Sequence, residues 1–380
     1  MGTVNETVWN TTGPAGAGPA TFGTLSVAGN VEREAARAFE IDPLHDPRWA
    51  ALVDSHPRAS VFHSPNWLQA LRTVYGYKPF VVTTCPPGAR LTNGLVFCRI
   101  KSWLTGQRLV SLPFSDHCEP LVDSSGELDD MLLYMRQNVD KHRWKRIEIR
   151  PISLEPSGHT KLARSVTYCF HRVDLRRSAQ ELFRSFNKDS VQRRIRRAER
   201  ENLKYEEGTS ENLLQEFYRL LVMTRRRHCL PPQPLIWFRG LIAAFGKDLK
   251  IRVASKDGVA VASILTFSHK KSMVYKYGCC DAKYNRFGGT PLLLWKTIQE
   301  AKDGGFEEFD LGRSDTDNLG LIAFKEHWDG QRALIHYWTY PHRPSRPTPS
   351  WKKSLARQVV SAAPDLALIG VGKLLYRHVG

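Results

Sequence analysis

Five consecutive residues, Ser115-Asp116-His117-Cys118-Glu119, place two carboxylates, an imidazole, a hydroxyl and a thiol directly after the extended run ending in Leu112-Pro113-Phe114. A loop at the end of a strand is where side chains converge on a pocket. Asp116 or His117 could act as a general base, and histidine is suited to proton transfer near neutral pH. Glu119 is a further candidate in the same loop. The run reads equally well as a hydrogen-bonded turn with Ser115 and Asp116 as caps.

Two other stretches have the chemistry to hold phosphate. Arg193, Arg197 and Arg200 fall at i, i+4 and i+7, on one face of a helix, with Glu199 and Glu201 as the nearby acids. The run Arg286-Phe287-Gly288-Gly289-Thr290-Pro291 sets glycines before a helix start, where backbone N–H groups can point at an anion. Pro291 removes one of those donors, and an ordinary glycine turn with Thr290 as cap fits the run as well. Asp310 and Arg313 stand at a strand end and just beyond it, and Arg313 is suited to an acidic substrate or to pairing with Asp315 or Asp317. Tyr277 and Trp328 either line a groove or fill the core.

These residues sit in a chain of 380, long enough for two domains. Apolar residues make up 42% and the formal charge is +17, which is globular composition with a preference for anionic partners. Seven cysteines, without a C-x-x-C pair or a repeated metal spacing, fit a reducing compartment and no metal site. Residues 1–40 lack the basic and apolar regions of a secretion signal and read as a disordered leader. No apolar run approaches the roughly 20 residues of a membrane span.

Hydrophobic periodicity predicts helices at 47–55 and 64–75, extended segments at 78–85, 91–103 and 108–112, a helix at 128–142, and strands at 146–150 and 168–175. The order then recurs. Helices are expected at 179–202, 211–228 and 235–245, strands at 249–255, 259–269 and 271–279, a helix at 290–302 and a strand at 308–311. A repeated order of helices, three strands, a helix and a strand indicates duplication of one α/β unit. Boundaries follow at 41–176 and 177–342. Residues 343–380 are a Pro/Ser linker and a helical tail whose apolar and basic residues suit either an anionic membrane surface or the protein itself.

Four stretches together resemble the FemAB-type acyltransferases of the GNAT superfamily, the kind found in bacterial cell-envelope and polysaccharide gene clusters. They are Val61 to Leu68, Leu112 to Leu121, the basic helix Gln192 to Ala198, and Phe309-Asp310-Leu311-Gly312-Arg313 leading to Phe324-Lys325-Glu326-His327-Trp328. The resemblance implies an α/β (α+β) fold of two tandem GNAT-like domains, each a mixed sheet flanked by helices, with a substrate groove between them. It also implies an N-acyltransferase without a permanent cofactor. The co-substrate would be aminoacyl-tRNA or acyl-CoA, and the acceptor a small or lipid-linked amine of an envelope precursor or polysaccharide sugar.

On that resemblance, Lys325 takes the position proposed to face the transferred acyl group, where an ammonium stabilises an oxyanion. Arg286 to Thr290 corresponds to a degraded R-x-x-G-x-[GA] pyrophosphate loop. The absence of G-x-S-x-G agrees with direct transfer, which needs no enzyme nucleophile. The expected location is the cytoplasm, with peripheral contact at the inner membrane face through the tail. The competing readings are an acetyl-CoA-dependent N-acetyltransferase and a non-catalytic adaptor for nucleic acid or anionic surfaces.

Overall fold

The computed structural model describes residues 38–341 and 363–379. Most of the expected leader, and the tail through Trp351 and Leu355, lie outside the described residues. The leader's last residues differ from expectation: β1 (Phe39–Ile41) is a strand. After it come α1 (Pro47–Ser55), α2 (Pro65–Tyr75), β2 (Lys78–Thr83), β3 (Leu95–Ser102), β4 (Gly106–Val110), α3 (Ser125–Gln137), β5 (Arg146–Ile149) and β6 (Ala163–Asp174). The second half contains α4 (Ala179–Ser185), α5 (Arg193–Arg200), β7 (Lys204–Gly208), α6 (Glu211–Arg227), α7 (Leu235–Phe245), β8 (Leu249–Lys256), β9 (Val259–His269) and β10 (Ser272–Cys280). It continues through α8 (Gly289–Asp303), β11 (Glu308–Asp315), α9 (Leu319–Glu326) and β12 (Gln331–Tyr340), and α10 (Asp365–Val379) follows the undescribed segment.

The strands form one sheet of twelve, in the order β1-β2-β3-β4-β5-β12-β6-β11-β10-β9-β8-β7. Reversing that order maps β1 onto β7 and each later strand of one half onto its counterpart. The two parallel pairs, β4–β5 and β10–β11, fall at equivalent places. The last strands are exchanged: β6 of the first half pairs with β11, and β12 of the second half pairs with β5. The two exchanged strands pair with each other at the centre. A single hydrogen-bonded ladder therefore runs through both repeats.

Alternation along the strands explains the layers, because successive side chains point to opposite faces. On β3, Val96, Cys98 and Ile100 join one core, whereas Leu95 and Phe97 join another packed under α3. The first core is shared between halves: α2 lies against α7, with Trp67 edge-on to Trp237 at 5.5 Å between ring centroids. The opposite face holds α8, whose Leu293, Leu294 and Ile298 cover the second half.

Local signals set the helix ends. Ser64 accepts from the Trp67 N–H, Pro65 occupies the first turn, and Gly76 closes α2 in a left-handed conformation at φ 69°. The single helix expected at 179–202 is broken after Ser185, where the Asn187 side chain accepts from the Asp189 and Ser190 N–H groups and opens a π-type turn. Among the described residues no helix is long and apolar enough to cross a membrane, and all seven cysteines are free.

Candidate active site between the two halves

The parallel pairing of β10 with β11 covers only Ser272–Val274 against Glu308–Asp310. Beyond it the strands part, and a bulge in β11 between Asp310 and Arg313 carries Gly312 at φ 70°. The Asp116 carboxylate, from the loop after β4, stands in this opening. It pairs with Lys276 of β10 at 2.9 Å and faces Arg313 at 3.7 Å. A Cβ on Gly312 would lie 2.9 Å from Asp116 Oδ2, so the residue there must be glycine for the loop to seat. In the first half, Arg150 fills the equivalent opening, donating to the carbonyls of Leu112 (2.6 Å) and Ser115 (3.2 Å).

Lys325, on α9, is 2% exposed, and its ammonium donates to the carbonyls of Gly312 and Arg313, each at 2.8 Å. An ammonium carries three protons, so two are bound and one is left. Burial lowers the Lys325 pKa to about 8, against the pull of Asp116 and Asp310. Burial likewise lowers that of Lys276, although Asp116 opposes it. For Asp116 burial acts the other way, but Lys276, Arg313 and Lys325 outweigh it and hold the carboxyl below its ordinary value. The directions are consistent, because three cations share the carboxylates of Asp116 and Asp310. The cluster has an excess of positive charge.

His117 lies between the rings of Phe62 and Phe170, each 5.1 Å away and edge-on. Its Nε2 is 3.0 Å from Asp310 Oδ2, while the other Asp310 oxygen accepts from the Gly312 N–H at 2.6 Å. With Nε2–H donated to a carboxylate, Nδ1 carries the lone pair. That Nδ1 is buried and has no hydrogen-bond partner. His117 and Asp310 both line a cavity of about 750 Å³, whose walls also include Arg58, Arg172, Lys270 and Glu308. Burial raises the Glu308 pKa despite Arg172 beside it.

The structure thus gathers Asp116, His117, Asp310, Arg313 and Lys325, and it sorts the other candidates differently. Ser115 donates to the Leu112 carbonyl within its own turn. The Glu119 carboxylate accepts from the Ser153 and Leu154 N–H groups and the Ser153 hydroxyl, which fixes the loop after β5. Tyr277 accepts from Trp237 Nε1 at 3.0 Å inside the shared core, and Trp328 is 1% exposed against Phe186. Both fill the core.

Arg193, Arg197 and Arg200 lie on α5 away from this cluster, with Arg193 paired to Asp189 and Arg197 facing Glu201. Gly288, at φ 78°, lets the start of α8 abut α5, since a Cβ there would collide with the Arg194 carbonyl. Gly289 is buried against Ala262, Thr290 lies in the first turn of α8, and Arg286 lies over the Phe287 ring. Lys276 and Tyr337 are the residues that sequence reading missed. Tyr337 donates to the Asp116 carbonyl at 2.7 Å and accepts from Arg313 at 2.8 Å. A lysine inside the apolar pattern of β10 was the available signal for Lys276.

A family model described as an acetyltransferase (GNAT) domain matches residues 185–326. UDP-N-acetylmuramoylpentapeptide-lysine N(6)-alanyltransferase of Weissella viridescens is 26% identical over 136 residues, which are 35% of this chain and 40% of that protein. The match therefore spans less than half of that relative. The crystal structure of FemX superposes with a TM-score of 0.62 at 14% identity, covering 80% of this chain and 97% of FemX. A tandem GNAT protein from the clavulanic acid biosynthesis pathway gives 0.52 at 13% identity, covering 82% and 99%. Two similar repeats in one sheet, a GNAT domain match over residues 185–326 and a fold like that of FemX agree with the expected architecture of two GNAT-like halves.

Proposed function

We propose that this protein is an N-acyltransferase that moves an acyl or aminoacyl group onto an amine of a cell-envelope precursor or polysaccharide sugar. The observation that carries the reading is the His117–Asp310 pair at the cavity wall. Asp310 fixes the imidazole through Nε2, and the free Nδ1 is the base that takes a proton from the attacking amine. Asp116 is engaged with Lys276, so it serves the site as a fixed charge.

Transfer builds negative charge on the acyl oxygen as the amine adds to the carbonyl. Lys325 and the surplus positive charge around Gly312 oppose that cost in a site screened from water. The acceptor occupies the cavity on the α1 side of the sheet. The donor approaches from the α8 side, and the two meet where β10 and β11 part. No bond from the protein to the acyl group is needed: nitrogen gains the acyl carbon, the bond from that carbon to the donor oxygen or sulfur breaks, and the proton that His117 takes from the amine is passed on to the leaving oxygen or sulfur.

The alanyltransferase relative supports an aminoacyl donor and a lysine-bearing precursor acceptor, and the GNAT domain supports an acyl-CoA donor. Arg193, Arg197, Arg200, Arg286 and the turn at Gly288-Gly289-Thr290 form the surface we assign to donor phosphates. A cytoplasmic site reaching lipid-linked acceptors from the inner membrane face fits this chemistry. The test supplies the purified protein with labelled aminoacyl-tRNA or labelled acyl-CoA, together with a mixed amine-acceptor extract from a bacterial envelope. Label appearing in an amide product from one donor supports the reading, and transfer from neither rejects it.

A further inference from the structure

Helix α10 binds the body of the protein by one face and leaves an apolar face uncovered. On the inner face Leu368 is buried, and Gly372 abuts the Pro232 carbonyl so closely that a Cβ would collide with it. The Tyr77 hydroxyl bonds the Tyr376 carbonyl at 2.9 Å, and Arg226 pairs with Asp365 at 2.7 Å. On the outer face Leu366 is 84% and Leu374 62% exposed, with Val371 between them at 47%. At 3.6 residues per turn Leu374 lies about 80° round the helix from Leu366 and Val371 about 60° beyond it, so the three spread over roughly 140° of the outer surface.

The tip of the β3–β4 hairpin lies at the end of this helix. Trp103, 81% exposed, has its ring 5.8 Å from the His378 imidazole, and Leu104 beside it is 55% exposed. Thr105 and Arg108 both donate to the His378 carbonyl, at 3.2 and 2.9 Å, which ties hairpin and helix together. Segments some 270 positions apart are thus joined, with the exposed hairpin tip set against the last turn of α10.

Charge selects the occupant. Lys101, Lys373 and Arg377 are exposed around the patch, and no acidic residue occurs from Arg99 to Arg108. The one acid of α10, Asp365, is engaged by Arg226. Exposed Trp and Leu framed by cations match the headgroup boundary of a bilayer with negative lipids, where the indole rests at the interface and each cation adds attraction. From this juxtaposition we infer that the Trp103-Leu104 tip and the outer face of α10 together dock the protein on an anionic membrane surface. The inference stands apart from the acyl-transfer reading, since binding is measured without substrate.

The test is flotation of the full chain with phosphatidylcholine vesicles and with vesicles containing about a third phosphatidylglycerol. The protein floats with the anionic vesicles and is released by salt. The triple variant Trp103→Ala/Leu366→Ala/Leu374→Ala, altered only at exposed positions, loses roughly tenfold or more in partitioning. Lys373→Glu/Arg377→Glu loses a similar factor at low salt, and the control Leu334→Ala, exposed on β12, binds as before. Equal binding by the triple variant, or no binding to anionic vesicles, overturns the inference. So does a dimer in sedimentation that the triple variant breaks, because the face would then belong to a second copy.

Discussion

His117 Nε2 and Asp310 Oδ2 meet at 3.0 Å although 193 positions separate them, and the bond joins a loop of the first half to a strand of the second. The loop reaches β11 because the ladder between β10 and β11 ends at Asp310 and leaves room for Asp116 beside it. Duplication and strand exchange thereby bring together a cluster of candidate site residues that neither repeat has alone.

Asp310→Asn removes the charge that holds the imidazole tautomer while keeping the side-chain shape. We expect transfer to fall by roughly 10²-fold or more with little change in KM, read from steady-state kinetics. Gly312→Ala, which forces a Cβ against Asp116 at φ 70°, lowers both activity and melting temperature, with a strain of about 1–3 kcal/mol.

Asp116→Ala leaves the Lys276 ammonium buried beside Arg313. The expected cost is about 3–5 kcal/mol in denaturant unfolding. Lys276→Met in the same chain recovers part of it, so the two substitutions are less than additive. An additive result would mean that the pair does not couple across the halves.

Stability depends on pH through the same lysines. Folded Lys325 releases its proton near pH 8, whereas an unfolded lysine holds it to about 10.4. Between these values the unfolded chain binds more protons, so unfolding free energy rises with pH; Lys276 acts in the same direction. Above about pH 10 the sign reverses, because buried Tyr275 and Tyr337 resist the ionisation open to unfolded tyrosines. Urea midpoints of wild type and Lys325→Met through this range check it: the variant has a flatter profile from pH 8 to 10.

Arg193→Gln/Arg197→Gln/Arg200→Gln removes exposed charge from α5 without touching the cavity. With a phosphate-bearing donor we expect KM to rise and its salt dependence to flatten, while kcat holds. A fall in kcat at unchanged KM would place these arginines elsewhere in the mechanism.

Much of this architecture is legible in the sequence, because alternating strands and capped helices are local signals. Ser64-Pro65 and Gly76 mark both ends of α2, and the chain order repeats as expected. The partnership of β6 with β11 is not local, and β12 was missed altogether: Gln331, Arg332 and His336 interrupt its apolar run. The Ser115–Glu119 run flagged the site, yet sequence could not tell a turn-forming Ser115 or Glu119 from the paired His117. That distinction rests on which strand of the other repeat each side chain meets. Lys325 appears as an exposed cation on a short helix until the β11 bulge turns two carbonyls towards it.

The most direct test of the central claim is the single-turnover rate of amide formation by His117→Ala against wild type, with the donor that supports transfer and with matched circular dichroism. A base at Nδ1 predicts a loss of about 10²- to 10⁴-fold in the chemical step with donor binding unchanged. A His117→Ala enzyme that turns over at the wild-type rate would contradict it.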